Sequence, residues 1–406
     1  MVADKPVFQE KRCNNFSFPT WPQYDEAEEK ILMEVLHSGV WWKTPGEQVY
    51  AFEREFAQFI GVDYAIGVTN GTAALEVAVS ALGIRPGDEV IVPDFTFVAT
   101  ASAVLSVGAM PIFVDVNPDT YCINAEEIQK AVTSRTKAVI VVHLGGHPVD
   151  LDAILDLCRS HHLYLIEDCS HAHGSEWRGK KVGGFGDFGT FSFQQGKLLT
   201  AGEGGAIVTN NADLELKARS IHDCGRLPDQ WFYSHFNYGS NYRMTEWQGA
   251  ILRKQLERLP DQGRIRNRNA AYLDRELEKI KGITPQWSDP NCTHNGHYAY
   301  IFHYDSEKFS SLPLTQFVMK LEEAGIPIQA SYPPLHELDL FQNGIYRSRI
   351  TTDQDYQFLM EKDYPHTVKG ARETIWFPQN VLLAEEYILD QMVHVMRETL
   401  NKEVCA

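Results

Sequence analysis

No two cysteines in the 406-residue chain stand at CxxC spacing. The seven present (Cys13, Cys122, Cys158, Cys169, Cys224, Cys292 and Cys405) are odd in number and dispersed. That excludes a disulfide frame and regular zinc-ligand spacing, so no metal is expected. The pattern reads as reduced thiols in a cytoplasmic protein. No run of about 18 apolar residues occurs, so no membrane span is expected. Basic residues are outnumbered, 37 Lys and Arg against 54 Asp and Glu, for a net charge of −17. Such a chain lacks the basic face that nucleic acid or anionic lipid requires. No internal repeat or low-complexity block occurs, and the first twenty residues carry no apolar signal-peptide core.

What is there suits a globular protein: 44% hydrophobic and 22% charged residues. The length is too great for one ordinary core and fits two or three packed units. Residues 1–24 read as an arm, 25–264 as a large domain and 265–406 as a smaller C-terminal α/β domain. Strand-like runs fall at Tyr64–Thr69, Glu89–Pro93, Pro111–Val116, Ala138–His143, Leu163–Glu167, Gly189–Phe193 and Gly205–Thr209. Helical patterns separate most of the first five. This alternation implies an α/β fold with a mostly parallel, seven-stranded sheet covered on both faces. The last two runs are joined by a short segment and suit an antiparallel pair. Helices are expected at Thr245–Leu259 and, after a break, at about Gly263–Lys281, with the domain boundary along the second.

Ligands of such sheets bind at the carboxyl ends of strands. After the sixth run comes a polar turn with one lysine, Lys197, followed by Gly202, Gly204 and Gly205. A lysine in a turn is ordinarily a solvated surface residue. The sharper alternative is an amine nucleophile for a carbonyl cofactor. After the first strand, Asn70-Gly71-Thr72 opens a helix, either as an N-cap or as a phosphate cup. After the second strand comes Phe97, either a core ring or one that stacks on a planar group. After the fifth come Asp168 and His171. Asp168 is either a helix cap or a buried carboxylate paired with a protonated ring nitrogen. His173 reads as a packing residue. Ser192, five residues before Lys197, can share a phosphate with Gly71. Together these groups supply every part needed to hold pyridoxal 5'-phosphate.

At these residues the chain resembles the DegT/StrS family of pyridoxal-phosphate aminotransferases, fold type I, like aspartate aminotransferase. The matching runs are NGTAAL, GDEVIVPDFTFVATASAV, PIFVDVNPDTYCIN, IEDCSHAHGS, FSFQQGKLLTAGEGG and GSNYRMTEWQGAIL. The resemblance implies that Lys197 is the Schiff-base lysine and Asp168 the pyridine partner. It implies that Phe97 stacks on the ring, that His171 lies near the ring hydroxyl, and that Gly71, Thr72 and Ser192 hold phosphate. It implies a homodimer with shared sites, Asn241 reaching the neighbouring subunit's phosphate. The arm and the Trp41-Trp42 loop are then candidates for the interface. Many nucleotide-sugar members read SFHxxK where this chain has SFQQGK. That departure, with VLLAE near the end, resembles two branches acting on bare six-membered carbocycles. These are the glutamine:scyllo-inosose aminotransferases and the 3-amino-5-hydroxybenzoate synthases. Trp41, Gln194, Arg226 and His336 are candidate substrate contacts.

The implied activity is transfer of an amino group from glutamine or glutamate to a keto-cyclitol or keto-sugar in secondary metabolism. The alternatives are a dehydratase-aromatase of the aminohydroxybenzoate type and a non-catalytic cofactor-binding regulator. The regulator sits poorly with the acidic balance and the full cofactor set.

Overall fold

The computed structural model describes residues 16–343 and 362–404. Cys13, Cys405 and residues 1–15 of the arm lie outside the described residues. Helix α1 (Glu26–Ser38) starts at a capping box between Asp25 and Glu28, and ends at Gly39 with φ of 66°. Helix α2 (Gln48–Ile60) follows, burying Val49, Phe52, Phe56 and Ile60 on one face.

The alternation then runs β1 (Tyr64–Val68), α3 (Gly71–Ala81), β2 (Glu89–Pro93), α4 (Ala99–Ser106), β3 (Met110–Val114), α5 (Ala125–Ala131), β4 (Thr136–Val142), α6 (Leu151–His161) and β5 (Tyr164–Asp168). Two-residue strands β6 (Glu176–Trp177) and β7 (Lys180–Lys181) precede β8 (Phe188–Ser192) and β9 (Gly205–Thr209). The large sheet has the order β1-β9-β8-β5-β4-β2-β3. Its pairs are parallel except those made by β9, which runs against both β1 and β8. Every residue of β2, β3, β8 and β9 is buried, as expected for strands covered on both faces.

Helix α7 (Ala212–His222) leads by a long loop to α8 (Glu246–Leu277). The sequence pattern predicts two helices here with a break near residue 260. The structure has one helix of 32 residues with Pro260 inside it. Pro260 is exposed, so water can satisfy the carbonyl that the missing N–H leaves free. The buried stripe continues past it through Leu259, Gln262, Gly263 and Arg266. Leu252, Leu256 and Leu259 join the core of the large sheet, whereas Ala270, Leu273 and Leu277 join a second core.

That second core covers a sheet of β10 (Ile283–Pro285), β12 (Ala299–Tyr304), β13 (Gln329–Ala330) and β14 (Thr374–Pro378), in the order β10-β12-β14-β13. Strand β11 (Cys292–His294) instead pairs with β6, in a three-stranded sheet with β7. Helices α9 (Leu314–Glu323), α10 (Asp339–Gln342), α11 (Pro365–Glu373) and α12 (Glu386–Val404) complete the described chain. No helix among the described residues is long and apolar enough to cross a membrane.

The described part of the arm lies on its own chain. Phe16 and Phe18 pack on the second core. Asn380 donates to the Pro19 carbonyl at 2.9 Å, and Gln255 to that of Gln23 at 2.8 Å. The Trp21 indole lies 5.3 Å from the buried Arg266 guanidinium and donates its N–H to the Gln195 carbonyl at 2.9 Å.

Candidate active site

The lysine turn between β8 and β9 is pinned by its own backbone. Phe193 N–H donates to Gly204, Gln195 N–H to Gly202 and Lys197 N–H to Gln194, all at 2.8–2.9 Å. The Gln194 side chain folds back to accept from Gly196 N–H at 2.8 Å. Lys197 is therefore not a free surface lysine. It is partly buried, with its Nζ 4.3 Å from the centre of the Tyr298 ring. Burial lowers its pKa to about 8, against the opposing pull of the nearby Asp168 charge.

Asp168 ends β5 and is buried. No α-helix begins behind it, so the capping alternative does not hold. One carboxylate oxygen accepts from Ser170 N–H at 3.1 Å and the other from the Thr100 hydroxyl at 3.2 Å. Two bonds fix its orientation and leave acceptor capacity for a further donor. His171, on the same loop, is buried and stacks on Tyr298 with ring centres 4.0 Å apart. Its Nδ1 accepts from Gly145 N–H at 3.4 Å, which places the proton on Nε2, 3.3 Å from the Tyr332 hydroxyl. Burial, with the Lys197 charge behind it, holds this imidazole well below its ordinary pKa and hence neutral. His173 packs on Phe191 and Phe193.

The start of α3 presses against the end of β8. Asn70 caps the helix, accepting from Ala73 N–H at 2.8 Å. A Cβ on Gly71 would stand 2.7 Å from the Ser192 Cβ, and one on Gly205 only 2.4 Å from the Asn70 carbonyl oxygen. Glycine at both places lets the first turn of α3 and the Ser192 residue share one cradle with Thr72. Both readings of the Asn70 turn therefore describe the same structure, an N-cap and an anion-ready helix end. Gly71→Ala is expected to cost about 1–3 kcal/mol of stability, as overpacking does. It is also expected to weaken binding of a phosphate-bearing ligand. Denaturant unfolding and a phosphate titration measure the two effects.

Phe97 follows β2 and is 54% exposed, an open ring facing Tyr332 with centres 6.1 Å apart. The loop that carries Tyr332 is held by Asp94. Asp94 accepts from the His336 N–H at 2.9 Å and meets His336 Nδ1 at 2.5 Å, and its carbonyl accepts from Leu335 N–H at 2.9 Å. Burial opposes charge on His336, but the Asp94 hydrogen bond and charge outweigh it and raise the pKa. His336 therefore serves here as an anchor of its loop.

Trp41 and Asn241 do not meet Lys197 in this chain. They line a separate surface cavity of about 260 Å³ with Trp42, Arg243, Met244 and Thr245. Arg226 pairs with Asp223 at 2.9 Å and lies 4.1 Å over the Phe232 ring, within the long loop before α8. Sequence reasoning missed Tyr298, Tyr332 and Trp21. The aromatic pair in HYAY and the tyrosine in SYPPLH were the available signals for the first two.

One buried cluster is not part of this site. His143, Glu167 and Cys169 offer ligand atoms within 4.8 Å of one another. Glu167 is already saturated by the Gly183, Phe185 and Gly186 N–H groups and by His143. It serves to tie β5 to the glycine turn before β8.

Residues 22–396 match the DegT/DnrJ/EryC1/StrS aminotransferase family. The chain is 37% identical over 390 residues to a 3-amino-5-hydroxybenzoate synthase of Amycolatopsis mediterranei (strain S699), covering 95% of this chain and 98% of that protein. It is 36% identical over 408 residues to the L-glutamine:scyllo-inosose aminotransferase of Streptomyces griseus, covering 96% of each. The crystal structure of 3-amino-5-hydroxybenzoic acid synthase superposes with a TM-score of 0.87 at 36% identity, over 95% of this chain and 99% of that one.

Proposed function

Because this chain belongs to the DegT/DnrJ/EryC1/StrS aminotransferase family, we propose that it uses pyridoxal 5'-phosphate to move an amino group from glutamine or glutamate to a keto-cyclitol in antibiotic biosynthesis. The observation that carries this is the meeting of three groups at one edge of the sheet. They are a desolvated amine with a pKa of about 8, an oriented carboxylate, and a cradle that any Cβ would fill. The residues present fit the cofactor.

Bound there, pyridoxal phosphate supplies an electron sink for negative charge on the carbon next to nitrogen. Gly71, Thr72 and Ser192 hold the phosphate at the positive end of α3, and Asn241 of a second copy completes that contact. Phe97, exposed beside the site, would cover one face of the ring. Asp168 would keep a proton on the ring nitrogen, and neutral His171 would offer a hydrogen bond to the ring hydroxyl. Lys197 would hold the cofactor through its amine, and its Nζ, with a pKa of about 8, would take up or return a proton at the reacting carbon.

Two features support a homodimer. Trp41 and Asn241 line a surface cavity whose lining does not include Lys197, and Arg226 is engaged by Asp223 and Phe232. Trp41, Trp42, Trp231, Phe232 and Tyr233 are 41–71% exposed, a group of exposed aromatic rings of the kind that marks an interaction site. Sedimentation at dimer mass is the expected result.

A second reading is favoured by the 37% identity to a 3-amino-5-hydroxybenzoate synthase. In it, Lys197 takes a proton from an aminated ring ketone, and loss of water gives an aromatic product. Absorbance of the purified protein during addition of glutamine separates the two. Conversion of bound pyridoxal phosphate to pyridoxamine phosphate, followed by amination of a keto-cyclitol, is the expected outcome. No conversion by any amino donor, with aromatic product from an aminated dehydroshikimate, would replace the first reading by the second.

A further inference from the structure

We propose that Tyr298 is a positioning residue for Lys197, its ring seating the lysine ammonium whenever that amine is not covalently engaged. This rests on the reading of Lys197 as the reacting amine. Among the described residues the Lys197 Nζ has no hydrogen bond and no ion pair, and the Tyr298 ring is its one identified contact, at 4.3 Å. The same ring stacks on His171 with centres 4.0 Å apart and planes 19° apart. One tyrosine thus braces both the amine and the imidazole beside it.

The ring cannot drift, because the backbone around it is fixed. Tyr298 immediately precedes β12, whose first residue, Ala299, pairs with Pro378 of β14. Two residues earlier, Gly296 N–H donates to the Ser175 hydroxyl at 2.9 Å. A Cβ on Gly296 would stand 3.0 Å from that hydroxyl and 3.1 Å from Leu198. The segment is therefore wedged between the loop of His171 and the residue next to Lys197. Tyr298 is delivered into the site by the second sheet, so the seating of that sheet on the large one sets where the amine stands.

The chemistry follows from the contact. Burial disfavours the ammonium form, whereas the negative face of an aromatic ring favours it. The ring keeps the displaced amine partly protonated and in one place, able to return a proton as well as to take one. Without the ring, only the Asp168 charge opposes burial, and the amine becomes less basic.

The test uses the full-length protein without cofactor. Lys197 is labelled with acetic anhydride across a pH series and its peptide is quantified by mass spectrometry. The unaltered protein is expected to show a midpoint below that of an ordinary lysine. Tyr298→Leu keeps apolar bulk and removes the ring, so its midpoint should fall by about one unit. Tyr298→Phe keeps the ring and should keep the midpoint. In the holoenzyme the leucine variant should lose kcat, and the phenylalanine variant should restore it. A midpoint in Tyr298→Leu that is unchanged or raised overturns the proposal. So does a shifted midpoint in Tyr298→Phe, which remains decisive if the leucine variant does not fold. Failure of the unaltered protein to take up pyridoxal phosphate would instead overturn the cofactor reading. Labelling needs no cofactor and still decides the role of Tyr298.

Discussion

Lys197→Ala is expected to lose turnover by about 10⁴-fold or more, the upper range for removal of a general acid–base group. It should also lose the visible absorbance of lysine-bound pyridoxal phosphate. The size of the effect follows from the amine's environment. With a pKa of about 8, half of Lys197 is neutral at that pH. An ordinary lysine would be only about half a per cent neutral there. Burial thus increases the reactive population by about a hundredfold, and no other described side chain at the site offers an amine. Lys197→Arg keeps a cation but not a nucleophile and should lose turnover equally. Folding should be little affected, because the alanine change removes a desolvated amine that makes no hydrogen bond. Retained turnover in either variant, with unfolding unchanged, would remove Lys197 from the mechanism.

Asp168→Asn should separate cofactor capture from chemistry. The amide can still accept from Ser170 N–H and can donate to the Thr100 hydroxyl, so the loop after β5 should hold its shape. The charge is lost. Turnover should fall by about 10²–10³-fold, the usual scale for removing one preorganised electrostatic group. Lysine-bound cofactor should still form. A second effect is read on Lys197 itself. The negative Asp168 raises the lysine pKa, so its removal should move the labelling midpoint below that of the unaltered protein. Because the folded amine is already depressed, lowering it further favours the neutral form over a wider pH range. Unchanged turnover would reduce Asp168 to a turn residue that serves only Ser170.

The large sheet was legible because its strands are short, apolar and bounded by helices whose periods are unambiguous. Each of the seven predicted runs corresponds to a strand, and the antiparallel link between β8 and β9 follows from the short connection. Lys197, Asp168 and the Gly71 turn were legible for a related reason: each sits at or just past a strand end, where parallel sheets place ligands. Pro260 misled the helix reading because sequence alone does not show that it faces solvent. Strands β6 and β7 have two residues each and carry no period to detect. Tyr298 and Tyr332 were missed because they reach the site from the second sheet and its following loop. Only the packing of that sheet brings them within 4.3 Å of Lys197 and 3.3 Å of His171. His336 reads in sequence as a group for substrate, yet its Nδ1 side is spent on Asp94.

The Trp21 contact carries a consequence for how the chain is made. Trp21 leaves the ribosome early, but its acceptor at Gln195 follows 174 residues later. The Asn380 donor for neighbouring Pro19 follows 361 residues later. Trp21 therefore cannot dock before the lysine turn has been made, and Pro19 gains its donor only when nearly the whole polypeptide has been synthesised. The arm's docking is a late event in maturation that closes over a turn already formed. A tag or fusion placed before Trp21 would be tethered beside the lysine turn.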